Sequence, residues 1–121
     1  MSKIYRDRWD FLKMYNIFFN IPEARDFLLQ FGMVYTLRRK RKEDYGQIRI
    51  VQGSYFHNQI LGIGVISFIK KIERKEELEK YLEYSGCSSI DEWYNKKSPD
   101  ANYLYLVKLI WKKSLNNLDN K

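Results

Sequence analysis

The stretch Leu61-Gly62-Ile63-Gly64-Val65-Ile66-Ser67-Phe68-Ile69-Lys70-Lys71-Ile72 decides the architecture. It is rich in β-branched side chains, which are stiff at χ1 and pack well on a pleated surface, so it reads as one long strand. Glycine weakens a strand interior unless the strand bends there or another backbone comes close. Gly62 and Gly64 therefore mark a bulge or sharp bend, the device by which a small sheet turns a barrel corner.

Upstream, Gln47 to Gln52 alternates, with Ile48 and Ile50 on one face and Arg49 and Val51 on the other. A turn at Gly53-Ser54 and a loop through Asn58 join it to the long strand. Met33 to Arg38 reads as another strand. Before it, Pro22-Glu23 and Gly32 bracket a helix over Glu23–Phe31, with Ala24, Phe27, Leu28 and Phe31 at helical spacing. Residues 14–19 read as a strand, and the aromatic segment before them (Tyr5, Trp9, Phe11) as a helical turn. Downstream, Glu73 to Tyr84 is a Glu/Lys-rich helix with Leu78 and Leu82 on one face, stopped by Ser85-Gly86. Ser89 and Glu92 form a capping-box pattern that opens a short helix bearing Trp93. Asn102 to Lys112 is the closing strand, followed by a polar tail from Ser114. The order β-α-β-β-β-α-α-β predicts an α+β fold. Its mostly antiparallel sheet would be curved or closed, a five- or six-stranded β-barrel with two or three flanking helices.

The 121 residues make one domain. Apolar residues are 45% and charged residues 31%, which excludes disordered and low-complexity classes. One cysteine (Cys87) and one histidine (His57) exclude a disulfide framework and a Cys/His zinc site. The longest wholly apolar stretch is Leu61 to Ile66, too short to span a membrane. With a polar N-terminus lacking a secretory core, the expected place is the cytoplasm. Abundant Lys, Glu, Ile and Tyr would suit a thermophile.

The formal net charge of +7 is unevenly spread. Residues 37–50 hold six basic and two acidic side chains, residues 51–69 hold none, and residues 81–100 are net acidic. The excess lies in Arg38-Arg39-Lys40-Arg41-Lys42 with Arg49, and in Lys108, Lys112, Lys113 and Lys121. Consecutive cations repel one another and favour a polyanion such as a phosphate backbone. The competing reading is a solvated loop at a strand end.

Several segments resemble the ASCH domain, a branch of the PUA-like superfamily. Gly32-Met33-Val34-Tyr35-Thr36-Leu37-Arg38 resembles its helix-preceded strand ending in Thr-x-Arg. Leu61-Gly62-Ile63-Gly64-Val65-Ile66-Ser67-Phe68 resembles its central strand. Ser85-Gly86-Cys87-Ser88-Ser89-Ile90-Asp91-Glu92-Trp93 resembles a segment of small archaeal ASCH-like proteins, and Tyr103 to Leu109 a closing strand. The resemblance covers roughly residues 14–112. It implies a PUA-like barrel with a cleft facing the Thr-x-Arg strand, and RNA, single-stranded or structured, as partner. No cofactor, metal or membrane is implied.

Some ASCH members are enzymes. Those that deacetylate acetylcytidine carry a Lys where this chain has Met33, and a catalytic Glu where it has Ser85, with Glu83 two residues away. A thioether has no proton to exchange and little basicity, so that activity is not expected here. Thr36 and Arg38 keep a hydroxyl and a fork of N–H donors suited to a base edge or phosphate. His57, in the loop Ser54 to Asn58, is a candidate general base or an exposed loop histidine. Cys87 reads as a small buried hydrophobe. Tyr35 and Tyr55 flank the basic segment and are candidate base-stacking residues. The expected nucleic-acid contacts are thus Tyr35, Thr36, Arg38, Arg39, Lys40, Arg41, Lys42, Arg49, Tyr55 and His57. An RNA-acting enzyme, ribonuclease or amidohydrolase, and a protein-interaction module stay open as alternatives.

Overall fold

Two glycines let the central strands come together closely enough to curl. The structure, a computed structural model, describes residues 14–113. Strand β4 (Asn58–Lys71) pairs antiparallel with β3 (Tyr45–Gly53) on one side and with β5 (Tyr103–Lys112) on the other. A Cβ on Gly62 would collide with the Trp111 carbonyl oxygen, and one on Gly64 would come within 2.6 Å of the Lys108 carbonyl oxygen. The register shifts between Ile50 and Val51, between Ile63 and Gly64, and between Phe68 and Lys70. Each such bulge adds right-handed twist and bends the strand.

The five strands run in the order β1-β3-β4-β5-β2. Here β1 is Tyr15–Phe18, parallel to β3, and β2 is Met33–Arg38, antiparallel to β5. In a flat sheet those two edges would stand about 19 Å apart, four inter-strand spacings. Instead Ile17 and Phe19 share one buried core with Val34 of β2 and with Ile48, Ile50, Ile66, Tyr105 and Val107 of the central strands. The sheet is therefore rolled up. No hydrogen bond joins β1 to β2 among the described residues, so it is an open mixed sheet, not a ring of paired strands.

That seam is where the structure departs from a closed barrel. The four residues of β1 spend their ladder on β3 alone. Helix α1 (Pro22–Phe31) links the two edges, and its Leu28, Ala24 and Phe27 join the interior core, so side chains bridge the seam. Full burial of a side chain such as Leu28 contributes about 1.5–3 kcal/mol.

The other sheet face is covered by a second layer. Leu37, Ile72, Leu78, Trp93 and Leu104 form its core, beneath a 3-10 helix (Lys75–Tyr84) and helix α2 (Ile90–Lys96). The sequence spacing of Leu78 and Leu82 suggests an α-helix over Glu73–Tyr84. The chain uses a three-residue period instead, which aligns Leu78, Tyr81 and Tyr84 on one face. Leu78 is buried, Tyr81 meets Tyr35 edge-on at 4.9 Å, and Tyr84 meets Phe27 at 6.0 Å. The Ser89 hydroxyl caps α2 by accepting from the Glu92 N–H, while the Glu92 carboxylate reaches back to the Ser88 N–H. The fold is α+β, with three helical segments among the described residues. The expected helical turn around Tyr5 to Phe11 and the polar tail from Ser114 lie outside the described residues.

Candidate functional site: a cationic cleft at the seam

The two open edges of the sheet define a cleft of about 470 Å³. Its floor follows from strand alternation. Thr36 and Arg38 lie on the same inner face of β2 as Val34. The Arg38 Nε donates to the Thr36 hydroxyl at 3.1 Å, and its guanidinium lies 4.6 Å from the centre of the Phe19 ring. Phe19, 2% exposed, is fixed by its own N–H donating to the Val51 carbonyl. Arg38 thus crosses the seam on an aromatic face, a favourable seat for a planar cation.

The loop after β2 supplies the rim. The buried Tyr105 hydroxyl accepts from the Arg41 backbone N–H at 2.8 Å and draws the loop back over the sheet end. Arg39 pairs with Asp100 at 2.9 Å, and Lys40 stands 5.9 Å from the Tyr103 ring centre. The opposite wall is Lys96 and Lys97, from the end of α2. Gly86 sets that wall in place, because a Cβ there would meet the Glu23 carbonyl oxygen at 2.6 Å. This close approach brings the segment before α2 against the first turn of α1. Lys96 then bridges Glu23 at 3.1 Å and Glu92 at 3.0 Å.

Six cations line the cleft and no carboxylate does. Three acids just outside it neutralise Arg39 and Lys96. Arg38, Lys40, Arg41 and Lys97 have no carboxylate partner among the described residues. Burial first, and then the neighbouring Arg41 charge, push the Arg38 guanidinium down to about 10, so it stays charged at neutral pH at a cost. The Arg41 Nε is buried with no hydrogen-bond partner, and an unsatisfied buried donor costs about 1–3 kcal/mol. A largely desolvated arginine beside a second one, with no carboxylate paired to either among the described residues, fits an oxyanion that would offset their charge.

A small pocket and a second, open groove adjoin the cleft. Behind Thr36 is a pocket of about 40 Å³ that reaches Ser85, Cys87 and Trp93. Burial pushes the Cys87 thiol up, aided by Glu92, which disfavours a thiolate nucleophile. Beyond Asn20, which also lines the cleft, a groove of about 560 Å³ runs beside Gly53, His57 and Asn58.

Of the residues singled out by sequence, Thr36, Arg38, Arg39, Lys40 and Arg41 meet in the cleft, and Lys42 is exposed just beyond it. Tyr35 faces the other way, into the helical layer against Tyr81. Arg49 is on the outer side of β3, donating to the Asn16 side chain at 2.8 Å and to the Met14 carbonyl at 2.6 Å. Tyr55 and His57 are exposed in the β3–β4 hairpin, beside the groove rather than the cleft. Sequence reading missed Phe19, Asn20, Lys96 and Lys97. The lysine pair was hidden inside a stretch of net negative charge, and nothing local marked Phe19 as the seat for Arg38.

No family model, no curated protein and no solved structure matches this chain. Among the described residues, no group of three or more His, Cys, Asp or Glu is placed to hold a metal ion, and no helix is long and apolar enough to cross a membrane.

Proposed function

We propose that this chain is an RNA-binding protein of PUA-like architecture, whose seam cleft holds the phosphate backbone and one base or sugar. The observation that carries the reading is the pair Arg38 and Arg41, mutually repelling and without a carboxylate partner among the described residues, with Arg38 largely desolvated, in a cleft lined by four more cations. Guanidinium forks match phosphate oxygens two at a time. A bound phosphate offsets the repulsion between the two arginines. The Thr36 hydroxyl, already accepting from Arg38, keeps a donor for a base edge or ribose oxygen. The resemblance to the ASCH domain adds its own weight, since its Thr-x-Arg strand corresponds to Thr36 and Arg38. The rolled five-stranded sheet, bridged at its seam by α1, is read as a PUA-like barrel left open at one edge.

The test is a titration of labelled single-stranded and hairpin RNA at low salt, read by fluorescence anisotropy. Saturable binding is expected, weakened about 100-fold in Arg38→Met, since a hydrogen-bonded charged contact contributes about 1.5–3 kcal/mol. Absence of binding at low salt would remove the reading and favour a protein-interaction module. Cleavage of the RNA, or hydrolysis of acetylcytidine despite Met33, would move the chain to the enzyme class.

A further inference from the structure

The tip of the β3–β4 hairpin exposes two adjacent rings. Tyr55 is 79% and Phe56 85% exposed, and they pack edge-on with centroids 5.0 Å apart. The loop that carries them is tied by internal bonds. The Ser54 N–H donates to the His57 carbonyl at 2.9 Å, and the His57 N–H to the Ser54 hydroxyl at 3.2 Å. The Asn58 amide donates to the carbonyls of Ser54 and Tyr55. A tip fastened in this way presents the rings with little ordering left to do, which lowers the cost of binding.

The hairpin is also fastened to the cleft. Asn20 donates to the Gly53 carbonyl and accepts from the Gly53 N–H, both at 2.8 Å, and its side chain lines the cleft on one side and the groove on the other. The groove is lined by four carboxamides (Asn20, Gln52, Asn58 and Gln59), the His57 ring and Arg25, which is held by Asp26 and Gln52, with no carboxylate in its lining. Amides and imidazole offer both donors and acceptors, as base edges require, whereas aromatic rings offer faces on which bases stack.

We propose that the Tyr55–Phe56 tip is a second contact for the same RNA. A single strand leaves the cationic cleft past Asn20, crosses the amide groove, and stacks an unpaired base on the exposed rings. This rests on the RNA-binding reading above. The cleft supplies charge and the tip supplies stacking, so the two separate by oligonucleotide length and by salt.

The experiment compares wild-type protein with the double variant Tyr55→Ala/Phe56→Ala, using a trinucleotide and a single-stranded RNA octamer that carries 2-aminopurine at successive positions. Both rings are in solvent, so the variant keeps its fold, checked by an unchanged melting curve. The expected result is a loss of about tenfold or more in octamer affinity with unchanged salt slope, unchanged trinucleotide affinity, and loss of the quenching of one 2-aminopurine position. If the octamer binds both proteins equally while Arg38→Met still weakens binding about 100-fold, the stacking arm is overturned and the cleft reading stands. If no RNA binds either protein, both fall. If the rings are instead needed for binding vesicles of anionic lipid, with octamer affinity unmoved, the tip is a membrane contact and this inference is overturned.

Discussion

The helical layer and the seam cleft meet at the end of α2 and treat positive charge in opposite ways. In the helical layer, Lys70 meets Glu77 and Lys75 meets Asp91, both at 2.6 Å, and Lys96 at its border is shared by Glu92 and Glu23. In the cleft, Arg38, Lys40, Arg41 and Lys97 are left without carboxylates among the described residues, and Arg38 is largely withdrawn from water. The excess charge of this chain is therefore not an even coat that keeps it soluble. A share of it stands in the cleft, where acids are left out, at a cost in stability, and there the proposed anion would sit. Such trading of stability for a site is a general property of binding proteins.

The sharpest way to break the contrast is to put an acid into the cleft. Arg41→Glu would pair with Arg38 and close the anion site from within. RNA affinity should fall by about 100-fold or more, measured by titration at low salt. The next largest effect concerns the curl that makes the seam. In Gly64→Val the new side chain meets the Lys108 carbonyl oxygen and the Ile50 side chain. Overpacking of this kind costs about 1–3 kcal/mol, which urea denaturation would show as a lower midpoint. An unchanged midpoint would mean that the close approach of β4 and β5 is not what holds the curl.

The smaller effects separate the two regions by stability. The depressed guanidinium of Arg38 means that its burial cost is present at every pH below about 10 and lifts only above that value. Arg38→Met should therefore stabilise the protein, by about 1 kcal/mol or roughly 3–5 °C, while weakening RNA binding about 100-fold. Acid acts on the other layer. Lys70 and the Arg74 backbone N–H hold Glu77 below the ordinary carboxylate range, and the Ser88 N–H with Lys96 does the same for Glu92. A carboxyl with a depressed pKa contributes stability that is present above its ordinary value of about 4.5 and lost as the pH falls through the folded value. Amide protection in Lys75–Tyr84 and α2 should therefore weaken below about pH 4.5 before that of β4, read by hydrogen exchange. The smallest effect is expected for Lys75→Ala, which removes one exposed ion pair and should leave both the urea midpoint and RNA affinity nearly unchanged.

Most of the fold was legible because local signals agreed. Element order, the bounds of β2, the Ser89 cap and the bending role of Gly62 and Gly64 all follow from residue chemistry at short range. The 3-10 period of Lys75–Tyr84 was not legible, since Leu78 and Leu82 fit a helical stripe as well. What chose otherwise was the fit of Tyr81 on Tyr35 and Tyr84 on Phe27, which is tertiary. In the cleft, the run Arg38 to Arg41 announced itself by charge. Its other wall did not, because Lys96 and Lys97 sit among acids in sequence and reach the cleft only through the packing of Gly86 on Glu23. Tyr35 and Arg49 were placed with the basic run by proximity in the chain. Strand alternation sends one into the helical layer and the other to the outer face.

The central claim is that Arg38 and Arg41, not the protein's positive surface at large, receive the anion. Their side-chain Nε–H resonances test this directly, followed by NMR while single-stranded RNA is added at low salt. Expected are large, saturable shifts at Arg38 and Arg41, a small one at Arg39, and almost none at Arg74, which stands at the start of the 3-10 helix and lines neither the cleft nor the groove. Salt should reverse the shifts, with a slope of log K against log salt of roughly −3 for four backbone contacts on a single strand. Small, equal shifts across all the arginines, or shifts centred on Arg49, would contradict the claim.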